Sequence, residues 1–120
     1  MKASMVPGVE RTASYTVTKE MAPPHLPAVV LSTPSMIQLI EATCLTAAAD
    51  HLDDGETTVG VHVCVSHNLP AFEGEEVNVT GKLKEIERRR LTFEVEVRSP
   101  RGVISDGTHQ RAVVDASRFG

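Results

Sequence analysis

The chain has 120 residues and a formal net charge of −4, with acidic and basic side chains interspersed, so neither a second domain nor a basic nucleic-acid-binding surface is expected. Aromatic residues make up only 3% of it; aliphatic side chains must fill a small core, and a second copy of the chain would supply further apolar contact. No apolar run approaches the roughly 20 residues of a membrane span, and no signal-peptide core opens the sequence, so a cytoplasmic protein without a membrane partner is expected.

Residues Val9 to Thr18 predict a first strand, with Tyr15 and Val17 on one face. The three prolines in Met21-Ala22-Pro23-Pro24-His25-Leu26-Pro27 exclude both helix and ladder, leaving a surface loop of the kind that covers a site. A long helix follows. Thr33 fits its N-cap and Pro34 its first turn; it should run to about Asp50 or His51 and close at Asp53-Asp54-Gly55.

Beyond Gly55 the pattern alternates with period two. Val59, Val61, Val63 and Val65 predict one face of a strand, with His62, Cys64 and Ser66 on the other. Val77, Val79 and Leu83 mark the next strand, with Gly81 as a bulge position. Arg88, Arg89 and Arg90 fall in a turn, either solvated or facing an anionic ligand tail. Leu91, Phe93, Val95 and Val97 alternate again. Ser99-Pro100-Arg101-Gly102 turns the chain, and a last strand runs from Val103 to about Val114. Cys44 in the helix and Cys64 in a Val-rich strand are expected to be reduced core residues.

The order is strand, long apolar helix, then four consecutive antiparallel strands. It predicts a single α+β domain over residues 1–120, of the hotdog type, in which a curved antiparallel sheet wraps one long central helix on most sides.

Glu41 stands out within Met36 to Ala49, a helix apolar almost all the way round. Burying an unpaired carboxylate costs several kcal/mol, so Glu41 should have a partner, a place at the helix edge, or a use as an acid–base group. His67 continues the row of valines and should point inward towards the helix. A histidine there is either a satisfied core residue or the partner of Glu41 in an acid–base pair. Thr33 is sufficiently explained as a cap. It lies eight positions before Glu41, a rise of roughly 12 Å, so the two cannot readily meet in one chain. Two antiparallel helices in a dimer could bring Thr33 of one subunit near Glu41 of the other. His62 and Cys64 lack two further ligands at metal spacing, and no metal site is expected.

These residues resemble the hotdog-fold thioesterases, and among them the group typified by fluoroacetyl-CoA thioesterase. The resemblance rests on Ser32-Thr33 opening the helix, Leu39-Ile40-Glu41-Ala42 within it, and Val59-Gly60 through Cys64-Val65-Ser66-His67 on the strand. Gly107-Thr108-His109-Gln110-Arg111-Ala112-Val113 completes it near the end. It implies a catalytic Thr33, Glu41 and His67, and a substrate-binding Gly60 and Arg111. It further implies a homodimer with two sites at the subunit interface, an acyl-CoA substrate, and no metal or other cofactor beyond the CoA carried by the substrate. The expected activity is hydrolysis of a short or medium acyl-CoA; the alternatives are a non-catalytic acyl-CoA binding module and a hotdog hydratase or dehydratase. Leu26-Pro27 occupies the region expected to shape the acyl pocket, and fluoroacetyl selectivity is not part of the expectation.

Overall fold

A computed structural model describes residues 1–120. Its elements are β1 (Glu10–Thr16), a short 3-10 turn (Lys19–Met21), α1 (Thr33–Ala49), β2 (Glu56–Val65), β3 (Glu76–Glu87), β4 (Arg90–Ser99), β5 (Gly102–Asp115) and a closing 3-10 turn (Ala116–Phe119). The five strands form one antiparallel sheet in the order β1-β3-β4-β5-β2. Helix α1 lies against β1, β2, β3 and β4, which is the expected α+β arrangement. No helix is long and apolar enough to cross a membrane.

The core forms where the two periods meet. Met36, Ile40 and Cys44 present one stripe of α1, and Val79 of β3 and Phe93 of β4 belong to the same core from alternating strand positions; all are fully buried. Gly81 lets helix and sheet approach closely: a Cβ there would stand 2.7 Å from Cys44 Sγ. It is not the bulge, because Gly81 pairs regularly with Val95 and the register of β3 shifts between Leu83 and Glu85. Cys44 is fully buried, and burial pushes its thiol up to about 12. Cys64, expected in the core, is exposed.

The helix start differs from expectation by one residue. Ser32 is the N-cap, its hydroxyl accepting from the Ser35 N–H at 3.2 Å, and Thr33 is already helical. Capping by Ser32 leaves the Thr33 side chain free for another partner.

Two further corrections concern exposure. The sheet curls around α1 as expected but buries less of it than expected, leaving Gln38, Ala42, Leu45, Thr46 and Ala49 as an exposed stripe. In β2 the predicted single row of valines is broken. The register shifts between Gly60 and His62, so Gly60 pairs with Arg111 whereas Val63 pairs with His109. One extra residue flips every later side chain to the opposite face. Thr58 and Gly60 therefore share the helix side of the sheet with Val63 and Val65, and Val59 does not. Strand β2 is a sheet edge, and Val61 (43% exposed) and Val63 (37% exposed) lie uncovered along it.

Candidate active site

The five residues singled out in the sequence fall into two groups within one chain. Thr33 and His67 form the first. The polypeptide leaves β2 at Val65 but stays on β5 through Ser66 N–H to Asp106 O and Asn68 N–H to Ile104 O, which aims His67 at the start of α1. There Thr33 Oγ1 lies 2.8 Å from His67 Nδ1. His67 does point inward, but it meets the first turn of the helix and not Glu41. Partial burial holds the His67 imidazole below its usual range, partly opposed by a hydrogen bond with the Leu69 backbone. The pair lines a cavity of about 460 Å³ whose other walls include His25, Leu26, Val30 and Leu69. The proline-bearing loop lines this cavity through Pro23, His25 and Leu26.

Glu41, Gly60 and Arg111 form the second group. Glu41 is not buried: its side chain is 41% exposed, with Oε2 3.5 Å from Arg111 Nη1. The helix turns it to the edge of the apolar surface, next to a cation, so the cost expected of an unpaired buried carboxylate does not arise. Gly60 makes room for this arrangement. A Cβ on it would come within 2.5 Å of Glu41 Oε2 and 3.4 Å of Arg111 Nη1.

Arg111 is the buried member, at 5% exposure. Its Nε donates to Thr58 Oγ1 at 2.7 Å and its Nη2 to the Thr58 carbonyl at 3.0 Å. Burial lowers its proton affinity, and neighbouring Glu41 works against that. Thr58 and the adjacent His109 were not anticipated as parts of the site. A usable signal existed for His109, because it alternates with Arg111 and Val113 on one face of β5; for Thr58 nothing local distinguished it from any strand threonine.

The arginine turn has a more local use. Arg88 adopts φ 57 at the β3–β4 connection, Arg89 bonds the Val113 carbonyl and Glu56, and Arg90 bonds Gln110. Two of its three cations are thus held by the protein itself.

The geometry offers a hydroxyl–imidazole pair on a cavity, and a carboxylate held by a buried guanidinium beside a bare backbone. A hydroxyl–imidazole pair can bind and polarise a carbonyl, and a carboxylate so held can serve as base or nucleophile. A family profile described as fluoroacetyl-CoA-specific thioesterase matches residues 4–117. A fluoroacetyl-CoA thioesterase from Streptantibioticus cattleyicolor is 37% identical over 90 residues, covering 75% of this chain; the matched part is 65% of that protein's length. A solved structure of the fluoroacetyl-CoA thioesterase FlK superposes with a TM-score of 0.90 at 31% identity, over 97% of this chain and 93% of that one. A FlK variant in complex with fluoroacetate and CoA superposes at 0.89, again at 31% identity, over 97% of this chain and all of that one. A thioesterase superfamily member from Thermus thermophilus shares the fold at 22% identity, with a TM-score of 0.88 over 98% of this chain and 89% of that one.

Proposed function

Because the chain belongs to the fluoroacetyl-CoA-specific thioesterase family, we propose that it hydrolyses the thioester of a short or medium acyl-CoA to the free acid and CoA. The observation that carries this reading is the division of labour just described. A Thr33–His67 pair lines a cavity, and a half-exposed Glu41 stands beside Gly60, where no side chain obstructs an approaching thioester.

Neither half suffices alone, and roughly 12 Å of helix separates them. The edge strand β2 and the uncovered stripe of α1 around Leu45 support a homodimer in which Thr33 and His67 of one protomer face Glu41 of the partner subunit. In that arrangement the Thr33 hydroxyl donates to the thioester carbonyl or to the carboxylate. Glu41 either removes a proton from water as it adds to the carbonyl, or attacks the carbonyl itself to form an anhydride that water then opens. Arg111 orients the carboxylate, and His67 fixes the Thr33 hydroxyl. The tetrahedral adduct collapses with cleavage of the C–S bond, and the CoA thiolate takes up a proton. The chemistry uses protein groups and water, without a metal. A CoA-ester substrate fits a cytoplasmic protein.

Thiol release from acetyl-, fluoroacetyl-, butyryl-, hexanoyl- and benzoyl-CoA tests the reading, with wild type compared to Glu41→Ala. Hydrolysis of at least one ester, abolished in a folded Glu41→Ala, is the expected result. Tight acyl-CoA binding with no thiol released from any ester would overturn hydrolysis, as would a change in the acyl chain with the thioester left intact.

A further inference from the structure

His109 is fully buried on β5, between Val63 of β2 and Phe93 of β4. A buried imidazole must satisfy both ring nitrogens, and the structure supplies one partner for each. Nδ1 lies 2.7 Å from the His62 carbonyl oxygen, and Nε2 lies 3.1 Å from Arg111 Nη1. A carbonyl can only accept and a guanidinium can only donate. Nδ1 therefore carries the proton, and the lone pair of Nε2 receives Arg111.

This places the two constraints on the guanidinium at opposite sides. Thr58 takes Nε and Nη2, while His109 takes one hydrogen of Nη1. The other Nη1 hydrogen is left for Glu41, 3.5 Å away. The His109 ring also closes the wall over Gly60, with Cε1 3.3 Å from where a Cβ would sit. We propose that His109 is a positioning residue that aims Arg111 at Glu41, and that it does so only as the neutral Nδ1–H imidazole. An imidazolium would set an N–H of its own against Nη1 and force the guanidinium away. Burial, with Arg111 adding to it, keeps the imidazole below its usual range, which favours the neutral form. The His62 carbonyl that selects the tautomer belongs to the residue just after the β2 bulge, so the edge strand is linked to the carboxylate through His109 and Arg111.

The kinetic part of the test rests on the proposed hydrolysis; the spectroscopic part does not. His109→Leu fills the space without an acceptor, whereas His109→Gln can place an amide oxygen near the position of Nε2. Groups that orient a functional residue are commonly worth roughly 10- to 100-fold. His109→Leu should lower kcat by that order with KM within about twofold, and His109→Gln should recover most of the loss. Nitrogen-15 NMR of the wild type at neutral pH should show the Nδ1–H tautomer. Resolved Arg111 Nη protons should survive in His109→Gln and average out in His109→Leu. Unchanged kcat in His109→Leu overturns the proposal, as does a folded His109→Gln no better than His109→Leu. If His109→Leu does not fold, the wild-type tautomer decides: an Nε2–H or doubly protonated ring overturns it. If wild type hydrolyses no acyl-CoA, the functional reading has failed, and the arginine spectra alone decide the positioning role.

Discussion

The hydroxyl of Thr33 lies 2.8 Å from Nδ1 of His67, so the histidine two residues beyond β2 is coupled to the first turn of the helix and not to the carboxylate two turns further on. Ser32 makes this possible by taking over the cap. The adjacent residues therefore separate stability from activity. Ser32→Ala should cost about 1 kcal/mol of stability and leave hydrolysis nearly intact. Thr33→Ala should retain the melting temperature within a few degrees and lose activity by at least tenfold. Thermal melts and steady-state rates on the two variants check this, and a reversed pattern would contradict the assignment.

Gly60→Ala introduces a methyl 2.5 Å from Glu41 Oε2 and 3.3 Å from His109 Cε1. The half-exposed carboxylate can swing away, so the fold should survive while kcat drops well below wild type. Circular dichroism alongside a thiol-release assay separates the two effects.

Gly81→Ala meets a different neighbour. Its methyl would sit 2.7 Å from the buried Cys44 Sγ, under the helix. Overpacking of this kind typically costs about 1–3 kcal/mol. Adding Cys44→Ala removes the obstructing sulfur and should recover part of the loss, a non-additivity that a double-mutant cycle in denaturant measures directly.

Stability should fall as the solution is acidified. The folded chain holds both His109 and His67 below their ordinary value of 6.5. On lowering the pH below that value the unfolded chain takes up protons that the folded chain resists, so the stabilisation present above it is progressively lost. The charges that face His109 are Arg111 on its own strand, Glu41 from α1 and His62 from β2, while β4 places the uncharged Phe93 opposite it. Melting temperature measured from pH 8 to pH 5 should decline in the wild type and decline less steeply in His109→Gln.

The uncovered edge of β2 predicts the assembly. Val61→Asp, on a residue 43% exposed in the single chain, should convert a dimer to a monomer and abolish hydrolysis together with it. Light scattering coupled to size exclusion reports the first and thiol release the second. A fully active monomer would mean that one chain holds a complete site. Treatment with a strong chelator should leave the wild-type rate unchanged.

Much of the fold was legible because it is written locally. The span of α1 followed from its apolar period, and the hairpin turns from Pro100, Gly102 and the arginine run, since neither depends on distant residues. Thr33, Glu41, Gly60, His67 and Arg111 could be named because their types and order matched a known pattern. What each of them touches was decided only by tertiary register. One inserted residue in β2, at Val61, reversed the faces of the strand; the alternation of valines carries no trace of it, because the bulge is a pairing relationship with β5. Glu41 looked buried because its helix is apolar all round. Its exposure instead reflects which face of α1 the sheet covers, which left a carboxylate at the edge beside Arg111 and a strip of apolar surface uncovered. His109 shares a face with Arg111 in the alternation of β5, but its role was not legible there: a strand histidine gains its meaning from Arg111 on one side and a backbone carbonyl of β2 on the other, and only the folded sheet brings the three together.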